Sequence, residues 1–478
     1  MAPAQVDVAV VGGGLAGLAT AYYLLPPAPA GRAHSVVVLE QAARPGGKVV
    51  TARDGGFVIE GGPDSFITQK ADAYTLCQEL GLGDQLIGTN DARRKTYVLA
   101  GGRLHRLPEG LLLIVPTRAG PLLRSGLFSP AGKLRLALDL LLPCRRATGD
   151  ESLAAFAGRR LGQEAVDKLV TPLLAGIYTG DPAGLSLQAT FPQLAELERR
   201  QRSLILGMRA RQREAPAAPA AAAGRPTSTF LALRDGMQGL VDALAAHLGP
   251  EVIRTGRQVA SLARDTGGRY RLHLTDGTTV TAAQVVLATP AAVAAALVAP
   301  LDAALAAGLR AIRTVSSATI SLGYRAADLA RPLDGFGFVV AAREPTPLLA
   351  CTWTSSKFDH RAPPEHVLLR AFVGGARDEA RAALPDAELV RQVRAELARL
   401  LGIRAAPVLT RIYRWPAANP QYAVGHLDRV AQLEARAAQA MPGLFLTGSA
   451  YRGVGLPDCI KNARQTAAQV TRSQATPG

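Results

Sequence analysis

The stretch Val8-Ala-Val-Val-Gly12-Gly13-Gly14-Leu-Ala-Gly17 near the N-terminus decides the fold. Its apolar start predicts a buried strand, and the glycine-rich turn leads into an alanine-rich helix. Gly12 permits the tight turn, Gly14 lets backbone N–H groups approach a pyrophosphate, and Gly17 lets the helix pack closely on the sheet. The phosphates are then expected at the positive N-terminal end of that helix.

A second apolar strand, Val36-Val-Val-Leu-Glu40, ends in a carboxylate. At this place in a strand-helix-strand unit, an acidic side chain accepts hydrogen bonds from an adenosine ribose and disfavours the phosphorylated ribose of NADP. A Gly-x-Gly-x-x-Gly turn alone could be an ordinary turn in an alanine-rich helix. Its position after a strand and before Glu40 predicts a dinucleotide-binding unit.

The composition is typical of a large globular protein. The 478 residues are 48% hydrophobic and 19% charged. Because single cores rarely exceed about 250–300 residues, two or three domains are expected. The apolar runs are shorter than the roughly 18 residues that a spanning helix needs, and no secretory signal precedes the first strand, so we expect a cytoplasmic protein.

The charge and the cysteines narrow the classes of partner. The net charge is +16, but the arginines are scattered and no nucleic-acid recognition motif accompanies them, so no nucleic-acid partner is expected. An anionic membrane face or a polycarboxylate ligand fits this charge better. The four cysteines are far apart and form no Cys-x-x-Cys pair, so neither a metal site nor a redox disulfide is expected.

The patterns predict an α/β fold with a discontinuous Rossmann-like domain. Strand and glycine-turn patterns assign three segments to this domain: residues 1–70, 236–300 and 411–478. Residues 71–210 are predicted to form a helical insert, and residues 211–228 a flexible linker or loop. Residues 301–410 are predicted to form an α+β substrate-binding domain. A second strand-glycine-helix pattern, from Leu444 through Gly448 to a helix ending near Val470, offers another helix N-terminus to a ligand.

The two terminal units, with Gly46-Gly47 between them, resemble flavoenzymes of the amine oxidase and protoporphyrinogen oxidase superfamily. Four further stretches make the chain similar to bacterial porphyrinogen oxidases of the haem pathway: Glu60-Gly-Gly-Pro-Asp-Ser-Phe66, Gly176-Ile-Tyr-Thr-Gly-Asp-Pro182, Arg414-Trp415 with Pro420-Gln-Tyr422 and Gly425-His426, and Gly448-Ser-Ala-Tyr-Arg-Gly-Val-Gly-Leu-Pro-Asp458. This resemblance implies an FAD enzyme that oxidises protoporphyrinogen IX or coproporphyrinogen III by hydride transfer to flavin N5, with oxygen as acceptor and hydrogen peroxide as by-product.

The resemblance also implies the cofactor contacts. Those to adenosine and pyrophosphate are Gly12, Gly14, Leu15, Ala16, Gly17, Glu40, Gly46, Gly47 and Lys48, with Val259 beside the adenine. Those that flank the flavin ring are Gly62, Pro63, Asp64, Ser65, Trp415, Gly448, Val454, Gly455 and Leu456. Since the protein's work in such a reaction is mainly positioning, no acid or base is assigned, and His426 is interpreted as a local hydrogen-bonding residue.

The same resemblance places Gly176, Phe338, Val339 and Trp353 along a flat apolar cavity, although Trp353 could equally be a core residue. Many relatives carry an arginine for a propionate where this chain has Thr96, preceded by Arg94 and Lys95. This departure leaves open how the carboxylates are held. It favours coproporphyrinogen III, whose four carboxylates need more counter-charge than two. Lys70 is a second candidate partner.

The segment from Leu111 to Arg146 mixes leucine runs with arginines. This mixture is typical of a surface in peripheral contact with the inner face of a cell membrane, and equally of a buried helical cap. A homodimer is left open. Two other functions also remain: a different FAD-dependent amine or carotenoid oxidoreductase, and a non-catalytic binder like the GDP dissociation inhibitors. The Gly-Pro-Asp-Ser-Phe stretch favours a porphyrinogen, and Gly448, Gly453 and Gly455 favour a bound flavin.

Overall fold

A computed structural model describes residues 4–25, 34–145, 147, 149–214 and 228–475. These residues form an α/β fold with two seven-stranded sheets and several smaller ones. Of the predicted linker at 211–228, residues 215–227 lie outside the described residues, and residues 211–214 end the helix Leu204–Glu214.

The first large sheet is centred on the N-terminal strand. Ala4–Val11 pairs in parallel with Val36–Leu39 on one side and with Thr279–Leu287 on the other. Because such strands are buried on both faces, their sequences are unbroken valine-rich runs. Strands from all three segments assigned to the nucleotide domain lie in this sheet. The other strands are Ile253–Arg254, Val259–Arg264, Tyr270–Leu274 and Leu444–Leu446.

Helices cover both faces of this sheet. On one face the core is built from three helices: Leu15–Leu24, Gln238–Val252 and Leu456–Ala475, with Asp72–Glu79 beside them. On the other face three more helices share a core with the sheet: Ala291–Val298, Ala303–Arg310 and His426–Ala440. The glycine turn before Leu15–Leu24 therefore opens at the carboxyl edge of the central parallel strands.

The second large sheet belongs to the substrate-side domain. Its strands lie in the order Leu409–Pro420, Thr314–Arg325, His366–Gly374, Ala350–Trp353, Gly337–Val340, Thr96–Ala100 and Arg103–Arg106. The helix Asp386–Leu401 packs its apolar side chains on one face of this sheet. The opposite face turns toward the Gly61–Gly62 loop, because Thr319 Oγ1 donates to the Gly61 carbonyl at 3.3 Å.

Two predicted domain boundaries need correction. Thr96–Ala100 was assigned to the helical insert, but it pairs in parallel with Gly337–Val340 and carries the hairpin strand Arg103–Arg106 into the substrate-side sheet. The boundary at 411 falls inside the strand Leu409–Pro420, which pairs with Thr314–Arg325. Both errors have one cause: a local pattern predicts a strand but does not indicate its distant partner.

The insert has its own core and consists mainly of short helices. They are Ala119–Arg124, Pro130–Ala137, Leu153–Leu161, Thr171–Tyr178, Leu187–Thr190, Pro192–Gln201 and Leu204–Glu214. The helix Leu153–Leu161 ends at Gly162, whose φ of +92° interrupts regular helix. A fully buried ion pair lies inside the insert, where Arg160 Nε donates to Asp139 Oδ1 at 2.7 Å.

Short hairpins complete the fold. Thr51–Asp54 pairs with Phe57–Glu60 around a turn in which Gly55 and Gly56 both have positive φ. Phe230–Leu233 pairs with Phe66–Ile67 and Leu86–Gly88, and Leu111–Leu112 pairs with Val115–Pro116. Within the part of the chain that the structure describes, no helix combines the length and apolarity needed to cross a bilayer.

Candidate cofactor and substrate site

The N-terminal glycine turn forms an open cradle. A Cβ on Gly17 would lie 1.9 Å from the Gly12 carbonyl oxygen, so the helix can approach the strand this closely only with glycine there. A Cβ on Gly14, in contrast, would have no atom of the described residues within 4 Å. Gly46 N–H donates to the Gly13 carbonyl at 2.7 Å and brings Gly46 and Gly47 beside the turn. The space beyond the helix N-terminus therefore suits a phosphate group.

Glu40 bonds the glycine turn at the end where adenosine is predicted to bind. Its Oε2 accepts a hydrogen bond from Gly13 N–H at 2.7 Å, and its Oε1 accepts one from Ala42 N–H at 2.8 Å. The Glu40 carbonyl accepts from Arg257 N–H at 2.8 Å, and that segment leads into the strand that begins at Val259. Each carboxylate oxygen retains a further lone pair for a ribose hydroxyl.

A Glu40→Gln variant is expected to bind FAD about tenfold more weakly, because an amide N–H₂ would then face a backbone N–H donor and leave it unsatisfied. FMN carries no adenosine, so its affinity is expected to change little. The measurement is titration of the apoprotein with both flavins, followed by fluorescence quenching. Equal loss for FAD and FMN would contradict an adenosine-specific role for Glu40.

The C-terminal glycine turn converges on the N-terminal one. Gly448 has a φ of +111°, and a Cβ on it would lie 3.9 Å from the Cβ of Ala16 in the first turn of the dinucleotide helix. Lys48 joins the two regions, since its Nζ donates to the Ala418 carbonyl at 2.7 Å and to Ser449 Oγ at 3.4 Å. Burial lowers the pKa of Lys48. The open cradle, Glu40 and these converging turns together fit FAD.

The Gly61–Gly62 loop is held rigidly by side chains of the substrate-side sheet. Arg370 donates to the Gly61 carbonyl at 2.9 Å and to the Gly62 carbonyl at 2.7 Å. Trp415 Nε1 donates to the Gly61 carbonyl at 2.9 Å, so this predicted flavin neighbour contacts the loop directly. A Cβ on Gly62 would lie 1.8 Å from the Lys48 carbonyl oxygen, which requires glycine at that position.

Asp64 continues the same loop and is paired. Lys357 Nζ lies 3.1 Å from Asp64 Oδ2, and Ser65 Oγ donates to Asp64 Oδ1 at 2.7 Å. Burial opposes ionisation, but the positive charges of Lys357 and Arg370 outweigh it and lower the pKa of Asp64. Sequence reasoning missed Lys357 and Arg370 because each is a lone basic residue, in the helix Thr354–Lys357 and in the strand His366–Gly374, with no local motif.

Strand register revises the predicted substrate contacts. Thr96 pairs with Gly337, and Val98 pairs with Val339, so all four lie on the loop-facing side of the sheet. Phe338 and Trp353 lie on the opposite face. They are 2% and 4% exposed in the core that packs against the helix Asp386–Leu401, and the Trp353 ring is 5.6 Å from that of Tyr97. We therefore withdraw Phe338 and Trp353 as substrate contacts and keep Thr96 and Val339 as predictions.

The insert supplies the other wall of the candidate cavity. Gly176 lies in the helix Thr171–Tyr178, and a Cβ on it would meet no described atom within 4 Å. The next residue, Ile177, is 53% exposed despite its size. Val339 and Val454 both pack against the edge of the insert core. The helix Thr171–Tyr178 contacts the strand Gly337–Val340, so Gly176 and Val339, with Val454, remain candidate borders of the predicted cavity.

The three predicted cationic contacts all have polar partners. Lys70 Nζ is 2.6 Å from Asp458 Oδ1, close to Leu456 at the start of the last helix. Arg94 donates to Thr229 Oγ1 at 3.0 Å, and Lys95 donates to Asp334 at 2.7 Å. The predicted bond of His426 is also observed, from its Nε2 to the Tyr451 carbonyl at 2.8 Å.

Comparisons with known proteins agree with this geometry. Residues 15–471 match the model of the family described as flavin containing amine oxidoreductase. Coproporphyrinogen III oxidase of Bacillus subtilis is 36% identical over 97% of this chain and 97% of its own length. Chloroplastic protoporphyrinogen oxidase of Oryza sativa is 32% identical over 97% of this chain and 88% of its own.

A solved structure is also similar to this chain over its whole length. The structure from Exiguobacterium sp. 255-15, assigned to the protoporphyrinogen oxidases, superimposes with a TM-score of 0.86 at 33% identity and covers 100% of both chains. The family match begins at Leu15, directly after Gly14, and includes the Gly61–Gly62 loop and the C-terminal turn. The chain therefore belongs to the flavin containing amine oxidoreductase family, and its cofactor is FAD.

Proposed function

We propose that this protein is an FAD-dependent, oxygen-dependent oxidase that converts coproporphyrinogen III to the porphyrin. The observation that carries the proposal is the convergence of both glycine turns, with Gly448 close to Ala16, near the apolar side chains of Val339 and Val454 at the edge of the insert core. A flat macrocycle would need an apolar wall of this kind next to the flavin. The curated relatives with 34–36% identity over nearly the full chain act on coproporphyrinogen III, which favours this substrate over protoporphyrinogen IX.

In this mechanism the protein binds FAD and the substrate and positions them relative to each other. FAD, when bound, would supply a two-electron hydride acceptor for the substrate's bridging carbons, with one oxygen molecule reduced to hydrogen peroxide for each pair of hydrogens removed. Arg370 and Trp415 fix the Gly61–Gly62 loop at the flavin side of the cavity. Val339 and Val454 exclude water from one wall, and this protects an oxidisable substrate from side reactions.

The carboxylates would be held at the cavity rim. Lys70, Arg94 and Lys95 lie on exposed or half-buried segments and have exchangeable polar partners. An arginine can bind a carboxylate through two parallel hydrogen bonds, so Arg94 is the strongest anchor of the three. Several such cations suit a substrate with four carboxylates better than one with two.

The deciding assay offers the two porphyrinogens separately. Each is prepared anaerobically, mixed with FAD-loaded protein and exposed to oxygen while porphyrin fluorescence is followed. We expect coproporphyrin to form faster than protoporphyrin and faster than in an enzyme-free control. Preference for protoporphyrinogen IX would contradict the substrate assignment. Hydrogen peroxide formed from amines, with no porphyrin signal above the control, would contradict the porphyrinogen proposal itself.

We also propose a peripheral membrane contact through an exposed leucine surface on the insert, formed by Leu123, Leu134, Leu138, Leu141 and Leu206. Leu123, Leu134 and Leu141 are 64%, 66% and 73% exposed. The spacing of Leu134, Leu138 and Leu141 places them on one side of the segment. Lys133 Nζ donates to the Leu123 carbonyl at 2.7 Å and so links the helix Pro130–Ala137 to the helix Ala119–Arg124. Apolar side chains flanked by cations suit an anionic lipid surface.

Replacing Leu123, Leu134 and Leu141 together by serine is expected to weaken vesicle binding by about a hundredfold, since each leucine contributes roughly 1 kcal/mol or more when buried in lipid. Sedimentation with phosphatidylglycerol-containing vesicles measures this. The matched control replaces three exposed valines elsewhere, Val293, Val408 and Val424, by serine. Equal binding of both triple variants would argue against the leucine surface.

A further inference from the structure

The C-terminal glycine turn, residues 448–455, is called the flavin-side turn below. The segment Gln421–His426 contacts it through the Tyr422 hydroxyl. This hydroxyl donates to the Ser449 carbonyl at 2.6 Å and accepts from Gly453 N–H at 2.8 Å. A single oxygen atom thus joins two points of the turn that follows Gly448. Tyr422 is fully buried, and its ring stacks on that of His426 with centroids 4.1 Å apart. Neither partner in the turn is a side chain, so only the backbone conformation of the turn is fixed.

His426 adds a third contact to the same turn. Its Nε2 lies 2.8 Å from the Tyr451 carbonyl oxygen, so Nε2 carries the proton that is donated. Burial lowers the pKa of His426, which keeps the ring neutral. Tyr422 and His426 together hold residues 449, 451 and 453 of the turn that runs from Gly448 to Gly453, two glycines whose φ values are both +111°.

The same segment is bonded to the substrate-side insert. Gln421 Nε2 donates to the carbonyl of Tyr178, the last residue of the helix that carries Gly176, at 3.0 Å. The Tyr422 carbonyl accepts from Ser186 N–H at 2.7 Å. Gly425 N–H donates to Asp150 Oδ2 at 2.9 Å. One short segment therefore holds both the flavin-side turn and the helix on the opposite side of the cavity.

We propose that Gln421–His426 is a positioning clamp that sets the spacing between the flavin-side turn and the helix Thr171–Tyr178. Tyr422 and His426 form its flavin arm, and Gln421 forms its substrate arm. The role of the flavin arm can be tested by FAD binding alone. Only the importance of the spacing for a porphyrinogen rests on the proposed function. These are positioning residues, since they act through the turn and the helix.

The flavin arm is tested with Tyr422→Phe, which removes the bridging oxygen and keeps the buried ring. We expect the apoprotein to bind FAD about tenfold more weakly, because the Ser449 carbonyl and Gly453 N–H lose their shared partner. The visible circular dichroism of the bound flavin should change as well. The control is Tyr270→Phe, another fully buried tyrosine, whose hydroxyl donates to the Pro442 carbonyl at 2.9 Å away from the turn. Its FAD affinity should stay unchanged.

The substrate arm is tested with Gln421→Leu by hydrogen exchange with and without FAD. In the natural chain and in Tyr270→Phe, FAD binding should slow amide exchange in residues 171–178. In Gln421→Leu this protection should be lost while FAD affinity stays within about twofold of the natural value. The readout contains no porphyrinogen, so a failed oxidase assay would refute the proposed function without affecting this measurement.

Three results would overturn the clamp. The first is unchanged FAD affinity in Tyr422→Phe, or a loss no larger than in Tyr270→Phe. The second is full protection of residues 171–178 by FAD in Gln421→Leu. If Tyr422→Phe does not fold, His426→Gln is measured in its place. The third overturning result is then an unchanged visible dichroism spectrum of the flavin in His426→Gln.

Discussion

A Gly14→Ala variant is expected to fold like the natural chain but to be purified without FAD. The residue has a φ of −70° and a ψ of 174°, which alanine adopts without strain, and no described atom lies within 4 Å of the added Cβ. The methyl group would instead occupy the space through which the pyrophosphate reaches the helix N-terminus. Each backbone hydrogen bond to a charged phosphate contributes about 1.5–3 kcal/mol, so losing two weakens FAD binding at least a hundredfold.

Two matched glycine variants complete this experiment. Gly17→Ala would place a Cβ 1.9 Å from the Gly12 carbonyl oxygen, so it should destabilise the apoprotein itself. Gly120→Ala also adds a methyl group in space free of described atoms, but in the helix Ala119–Arg124 of the insert. It should change neither the FAD content nor the stability of the apoprotein. Flavin absorbance of the purified proteins and thermal unfolding of the apoproteins are the measurements. Natural FAD content in Gly14→Ala would mean that the pyrophosphate lies elsewhere.

Elements with strong local signals could be predicted from the sequence. The helix Asp386–Leu401 has leucine and valine at helical spacing along its buried face, and Gly402 ends it in a left-handed conformation. The dinucleotide turn was equally clear, because its glycine pattern stands between an apolar strand and a helix, and Gly17 is required by its close contact with the Gly12 carbonyl five residues earlier. Glu40 was predicted from its place at the end of the second strand; its ribose contact stays a prediction, and the bond from Gly13 N–H to its carboxylate is an addition from the structure.

Features that depend on distant pairing could not be predicted. Phe338 and Val339 are neighbours in sequence, yet they lie on opposite faces of one strand, and only the pairing with Thr96–Ala100 decides which face meets the cavity. Resemblance assigned both residues to the same wall. The clamp residue Tyr422 was quoted as part of a motif, but its role depends on a turn that comes much later in the chain.

An Arg370→Met variant is expected to lose both stability and FAD. Arg370 is buried beside the Gly61–Gly62 loop, and removing it leaves two buried carbonyls without this donor and Asp64 with one fewer positive charge nearby. Breaking a buried charge network by removing one partner costs about 3–5 kcal/mol. The loop would also lose its anchor at the flavin side, so FAD binding should weaken by at least tenfold, measured on the fraction that remains folded.

Arg361→Met separates these two effects. Arg361 is also buried, but its guanidinium donates to the carbonyls of Arg234 at 2.6 Å and Leu233 at 2.9 Å rather than to those of Gly61 and Gly62, and its influence on Asp64 is through charge alone. Both variants should unfold at lower urea concentration, because each removes a buried guanidinium that satisfies two carbonyls. Only Arg370→Met should then show weaker FAD binding. If both bind FAD equally well once folded, Arg370 supports the fold alone and the Gly61–Gly62 loop keeps its flavin-binding conformation through Trp415 and Thr319.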